Sequence, residues 1–134
     1  MELVVDANVL FAAILGRDKT MELFFEDKLR LVAPSYLIDE FEKNKQWLAN
    51  ECGLPLTEFE ILVSTLLSHV EFFPLTAASL HKSHAEQLAP HTKDAPYFAL
   101  ALYLKCAIWS REKAFKKQNE IEIFDTESLL KELE

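Results

Sequence analysis

Five short runs of β-branched and aromatic residues, each cut off by a Pro, Asp or Ser, alternate along this chain with longer stretches of helical periodicity. The runs are Leu3-Val4-Val5 before Asp6, Leu29 to Ala33 before Pro34, Val70 to Phe73 before Pro74, Cys106 to Trp109 before Ser110, and Ile121 to Phe124 before Asp125. Their length and apolar, β-branched character read as strands buried or half-buried in a sheet. Strand, helix, strand order requires right-handed crossovers, which produce a mainly parallel sheet covered on both faces. The expected architecture is α/β: a three-layer α/β/α arrangement with about five strands. A chain of 134 residues without visible linker, repeat or low-complexity tract reads as one domain, residues 1–134.

The helical stretches carry their own signals. Thr57-Glu58-Phe59-Glu60 has the pattern of a capping box, continued at helical spacing by Ile61, Leu62, Thr65, Leu66 and His69. Ser35 is placed to cap a helix running through Phe41 and Trp47. Asp94 is placed to cap one whose early Pro96 costs no internal hydrogen bond. The segment Ala95 to Leu104 is apolar on every side, so that helix should be packed between other elements.

Half of the residues are apolar, and only 2 Gly and 5 Pro are present, a composition that argues against disorder. No stretch approaches the ~20 apolar residues needed to cross a bilayer. Glu2 and Asp6 stand where a signal peptide has Lys or Arg. Cys52 and Cys106 form neither a metal-like spacing nor a disulfide framework. These features together lead us to expect a cytoplasmic protein with no membrane partner. The net charge of −8 runs against simple nucleic-acid binding, which needs Lys and Arg at phosphates. Yet nine of the 14 basic residues lie close in sequence to the acidic positions below: Arg17, Lys19, Lys43, Lys45, Lys93, Arg111, Lys113, Lys116 and Lys117. Charge alone leaves the partner open.

Functional groups of parallel sheets gather at the carboxyl ends of the strands. Asp6 ends the first strand, with Asn8 two residues on; Glu40 lies about two turns into the helix after the second. Asp94 opens the all-apolar helix, and Glu112 follows the fourth strand, two residues after Ser110. Carboxylates sharing a low-dielectric crevice repel unless a cation compensates them, and hard oxygen ligands suit Mg²⁺ or Mn²⁺. Plainer roles exist: a helix cap for Asp94, a wet helix face shared with Asp39 and Glu42 for Glu40, a surface position for Glu112. Asp6 is the least ordinary, because a carboxylate ending Leu3-Val4-Val5 must be nearly buried and so needs partners.

These segments carry a resemblance. Val4-Val5-Asp6-Ala7-Asn8-Val9-Leu10 is similar to the opening motif of PIN domains, an apolar strand ending in Asp followed two residues later by Asn. Pro34 to Phe41 resembles their second motif, Lys93 to Leu102 the third, and Trp109-Ser110-Arg111-Glu112 the fourth, which usually ends in Asp. The resemblance implies a five-stranded parallel sheet and a Mg²⁺- or Mn²⁺-dependent endoribonuclease that cuts single-stranded RNA with a metal-activated water. It implies a homodimer or higher homo-oligomer and, as in many prokaryotic members, a toxin opposed by a small antitoxin protein. Asp6, Glu40, Asp94 and Glu112 are then the catalytic, metal-binding acids, and Asn8 and Ser110 the supporting groups. Lys93, Arg111 and Lys113 are the expected substrate-binding residues. Glu112 departs from the family's Asp by one methylene, enough to disturb catalytic geometry.

Other readings compete. One keeps the fold as a binding or regulatory module with weakened chemistry. Another is a phosphohydrolase of the haloacid-dehalogenase type, whose motif wants a second Asp where Asn8 stands; a receiver domain fits less well, lacking an acidic pair at the first strand. His81, His84 and His91 admit a zinc site, although no Cys lies near them in sequence. Trp47, Trp109 and the Phe residues could stack bases, but most sit in apolar periodic runs and should be core.

Overall fold

The computed structural model describes residues 1–134. Five strands form one sheet in the order β3-β2-β1-β4-β5: β1 Glu2–Val5, β2 Arg30–Pro34, β3 Val70–Phe73, β4 Ala107–Trp109 and β5 Ile123–Phe124. Every neighbouring pair is parallel. Leu3, Val4 and Val5 are fully buried, as a central strand covered on both faces requires. The expected strands are present, three of them trimmed or shifted by one or two residues. Cys106 is still turning out of the preceding helix, its N–H on the Ala101 carbonyl.

Helices α1 (Ala7–Ile14), α2 (Thr20–Phe24), α3 (Tyr36–Cys52) and α4 (Leu56–Ser68) pack among themselves. After β3 a 3₁₀ segment, Leu75–His81, leads to α5 (Lys82–Leu88) and then α6 (Ala95–Leu104); these three pack together, and α6 lies across β1, β2 and β4. The result is an α/β fold with helices flanking an all-parallel sheet. As its uniform apolarity requires, α6 buries Ala95, Tyr97, Phe98, Ala99, Leu100 and Ala101; only its far end surfaces, at Tyr103. Helix α7 (Thr126–Glu132) closes the chain beside β5.

The caps differ from expectation. Helix α4 starts at Leu56 behind Pro55, whose carbonyl takes the Phe59 N–H, so Thr57 is already inside the helix and forms no capping box. Pro55 fixes that earlier start because it sets an extended entry and ends the preceding turn. Ser35 precedes α3 as expected, but its backbone is already helical and its side chain makes no cap bond. Its N–H instead extends the sheet ladder to the Phe73 carbonyl. The helix passes Trp47 and ends at Gly53, which takes a left-handed φ of 72°. Glu40 therefore sits just over one turn into α3 rather than two. The chain's capping box is at α7, where Asp125 accepts from the Ser128 amide at 2.8 Å and the Ser128 hydroxyl accepts from the Asp125 amide at 3.0 Å.

Helix α6 ends on Lys105, a non-glycine residue at φ 55° and ψ 49°. An L side chain there costs roughly 1–2 kcal/mol, partly offset by the lower unfolded-state entropy it has relative to Gly. We expect Lys105→Gly to stabilise the protein by about 0.5–1 kcal/mol, seen as a higher urea midpoint at unchanged slope. A lower midpoint for the glycine variant would show that the Lys105 side chain contributes more than its backbone strain costs.

Candidate active site

The sheet order reverses at the boundary between β1 and β4, and a crevice opens there beyond the carboxyl ends of the two strands. Two backbone bonds carry the ladder one residue past the strands. Asp6 N–H donates to the Trp109 carbonyl at 3.1 Å, and Ser110 N–H to the Phe124 carbonyl at 2.9 Å. Asp6 and Ser110 are thus held side by side, and the Ser110 hydroxyl donates to Asp6 Oδ2 at 2.8 Å. The Glu112 amide donates to Ser110 Oγ at 3.0 Å, completing a chain of donors that ends on the buried carboxylate.

The other acids arrive from separate helices. Asp6, Asn8, Glu40, Asp94 and Glu112 line one cavity of about 130 Å³, together with Ala7, Phe11, His91 and Lys93. Asn8 Nδ2 donates to Glu112 Oε2 at 3.2 Å, and the Tyr97 hydroxyl donates to Glu40 Oε1. Asp94 precedes α6 but makes no side-chain cap bond, so the cap role that its sequence position suggested is not what holds it.

Electrostatics mark the cavity as strained. Asp6 is 3% exposed, and burial pushes its carboxyl up to about 7; the Ser110 hydroxyl opposes the rise, while the charges of Asp94 and Glu40 add to it. Burial raises Glu40 above the usual carboxylate range, against the Tyr97 hydrogen bond and with a further push from Asp94. Asp94 is raised by burial first, relieved by Lys93 and His91 and pushed up again by Glu112. Tyr36 and Tyr97 are both raised by burial and then by neighbouring acids, so each hydroxyl keeps its proton.

The donor set is all-oxygen apart from His91 and Lys93, which fits a hard divalent cation. No three of the side chains stand close enough to enclose an ion by themselves. A cation here would take few direct ligands and keep water in its other positions, the habit of Mg²⁺. Asp6, Glu40 and Asp94 are the residues that fit such an ion best, since its charge would relieve all three.

A second polar cleft of about 240 Å³ shares Glu112 with the cavity and is lined by Arg111, Lys113 and Lys116 among other polar residues. Arg111 is paired with Asp18 at 2.8 Å and Lys116 with Asp125 at 2.9 Å. Lys93 lines the acidic cavity and Lys113 the adjoining cleft. The three histidines do not assemble. His84 bonds Glu120 at 2.6 Å, His81 packs against the Tyr103 ring, and His91 lines the acidic cavity instead. Trp109 is core, whereas Trp47 and Phe25 are exposed. Sequence reasoning missed Tyr97, Phe11 and His91 as neighbours of the acids; Tyr97 and His91, three residues either side of Asp94, carried the only available signal.

The chain matches the model of the PIN domain over residues 4–134. It belongs to the PIN domain family, whose members are generally nucleases. Among solved structures it is similar in fold to a chain in the crystal structure of VapBC2 from Rickettsia felis bound to a DNA fragment from their promoter. That similarity has a TM-score of 0.67 at 14% identity and covers 93% of this chain and 98% of that one. No curated protein matches the chain in sequence, and no helix is long and apolar enough to cross a membrane. Membership of this family displaces the haloacid-dehalogenase reading; Asn8, where that motif wants a second Asp, is bonded to Glu112.

Because the Asp6 carboxyl lies near 7 in the folded protein against an ordinary 3.8, folding takes up a proton between those values. Its contribution to stability is full below about pH 4 and is lost as pH rises through about 7. We expect the metal-free protein, in EDTA, to melt several degrees higher at pH 5.5 than at pH 8. Asp6→Asn should flatten most of that difference, since its carbonyl oxygen can still accept from Ser110. A wild-type melting temperature that falls on acidification across this range, or a slope that survives in the Asn variant, would assign the titration to another group.

Proposed function

We propose that residues 1–134 form a single nuclease domain, a Mg²⁺- or Mn²⁺-dependent endoribonuclease that hydrolyses single-stranded RNA. The observation that carries this reading is the convergence of Asp6, Glu40 and Asp94, from three separate segments, on one cavity where burial and mutual repulsion penalise their charges. Such an arrangement costs folding free energy unless a cation joins it. Asp6, Glu40 and Asp94 would hold the metal, some of them through its water, with Glu112 at the open edge and Asn8 and Ser110 keeping the acids oriented. The bound ion would supply Lewis acidity and a water of lowered pKa. Lys93, lining the acidic cavity, and Lys113, in the adjoining cleft, would meet substrate phosphates, with Arg111 held near by Asp18.

Hydrolysis by water breaks the bond between phosphorus and the 3′ oxygen, leaving a 5′-phosphate and a 3′-hydroxyl. We also propose a cytoplasmic toxin held in check by a small antitoxin protein, acting as a homodimer or higher homo-oligomer. The motif resemblance and the fold shared with a chain of the VapBC2 structure support this part.

Internally cut single-stranded RNA with 5′-phosphate ends should accumulate with Mn²⁺ or Mg²⁺ and not with EDTA. Asp6→Asn should slow the cutting by about a hundredfold or more. Mapping the product ends decides the mechanism, because 2′,3′-cyclic phosphates would mean that the RNA's own 2′-hydroxyl attacked.

Glu112 gives a separate test of the site's edge. It is exposed, and Asn8 holds its Oε2. Glu112→Asp, which restores the family's shorter acid, should cut as fast as wild type or faster, while Glu112→Gln should be about tenfold slower. A Gln variant with wild-type rate would remove Glu112 from the chemistry and favour the reading of a site with weakened function.

A further inference from the structure

We propose that Tyr97 is a positioning residue that fixes Glu40 in the acidic cavity, so that one carboxylate oxygen is tied back to α6 and the other is left for a divalent cation. This rests on the metal-dependent reading above. Glu40 reaches the cavity from α3 through three rotatable side-chain bonds, and freezing such a chain costs rotamer entropy. A site that binds a cation well must meet that cost before the cation arrives. In this protein the group able to do so is the Tyr97 hydroxyl, which donates to Glu40 Oε1 across 57 residues of sequence.

The donor is itself fixed. Tyr97 is fully buried, its ring stands edge-on to Tyr36 at 6.0 Å between centroids, and the helix that carries it is covered on most of its surface. It lies three residues after Asp94, and residues at that spacing share a helix face. One turn of α6 thus brings an acid and the donor that aligns a second acid to the same place. The hydroxyl donates to Glu40, and burial, that hydrogen bond and the Glu40 charge all act to raise it. A phenylalanine would fill the same space and keep the Tyr36 contact, but could not donate.

The test is Mn²⁺ binding to the full chain, followed by electron paramagnetic resonance of the free ion, for wild type, Tyr97→Phe, Glu40→Gln and the double variant. Melts in EDTA report separately on folding. Partners of this kind typically change metal affinity by 10–100-fold, so Tyr97→Phe should bind Mn²⁺ roughly tenfold more weakly. The double variant should bind no more weakly than Glu40→Gln alone, because Tyr97 acts only through Glu40. Wild-type affinity in Tyr97→Phe, with Glu40→Gln weakened, would make Tyr97 merely structural and leave the metal site standing. Wild-type affinity in Glu40→Gln would instead remove Glu40 from the metal site, and Tyr97's role with it.

Should Tyr97→Phe fail to fold, Mg²⁺ titration of the wild-type chain keeps the question open to decision. The chain has 3 tyrosines, so Tyr97's ring carbon signal can be assigned by substituting Tyr36 and Tyr103 with Phe. That signal should move as Mg²⁺ draws charge from Glu40. A stationary signal at saturating Mg²⁺ would overturn the proposal.

Discussion

The backbone bond from Asp6 N–H to the Trp109 carbonyl sets the geometry on which the acidic cavity depends. It extends the β1–β4 ladder by one residue, at the place where the sheet order reverses and two neighbouring strands hand over to elements leading in different directions. A residue at that point is buried by the sheet yet faces the crevice, so whatever side chain it carries is both desolvated and accessible to a small ligand. Placing Asp there forces the surroundings to respond. Ser110, held by the next ladder bond over, supplies the hydroxyl that the carboxylate needs, and the Glu112 amide in turn orients that hydroxyl. The fold thereby couples the first and fourth motifs through the Asp6–Trp109 backbone bond, the Ser110–Asp6 bond and the Asn8–Glu112 bond.

The remaining acids obey the same logic with longer reach. Glu40 comes from α3 and Asp94 from the residue just before α6, and burial is the largest cause raising each. Hydrogen bonds from Tyr97 and Ser110 compensate part of this, and Lys93 and His91 compensate part of the Asp94 charge. The balance still leaves all three carboxyls raised. An acid with fold-holding partners behaves differently, as Asp125 shows: with the Ser128 amide and then Lys116 bonded to it, its carboxyl is lowered to about 2. The contrast between Asp125 and Asp6 within one chain separates an acid that holds the fold together from acids that the fold holds apart from their solvent.

Much of this was legible in the sequence because strand and motif signals coincide. Leu3-Val4-Val5-Asp6 declares both a buried strand and the acid that ends it, and the unbroken apolarity of Ala95 to Leu104 declares a covered helix and the crevice-facing Asp94 before it. What stayed hidden depends on backbone conformations that residue type only biases. Thr57 looked like a cap but fell inside its helix because Pro55 began the turn earlier, and Ser35 gave its N–H to the sheet. His91 was read with His81 and His84 because the three are close in sequence, whereas the fold turns His91 to the acids and ties His84 to Glu120. Tyr97 was hidden for the opposite reason: in an all-apolar helix its ring accounts for its presence, and nothing in sequence tells that its hydroxyl meets Glu40.

The protein's net charge of −8 poses a difficulty for any polyanionic substrate, and the arrangement of charges suggests how it is met on the proposed reading. Two of the basic groups beside the site, Arg111 and Lys116, already neutralise Asp18 and Asp125. Lys93 at the acidic cavity, Lys43 near Glu40 and Lys113 in the adjoining cleft are too few to draw RNA by long-range attraction against the field of the whole protein. Salt at physiological strength screens that field beyond roughly 8 Å, so encounter is governed by what lies within a few residues of the crevice. There, three carboxylates of raised energy would repel a phosphate outright. On that reading a divalent cation held there would reverse the sign of the local interaction, relieving the acids and giving the phosphate a counter-charge. Selection of a charged substrate would then reside in the cavity itself and not in the surface around it.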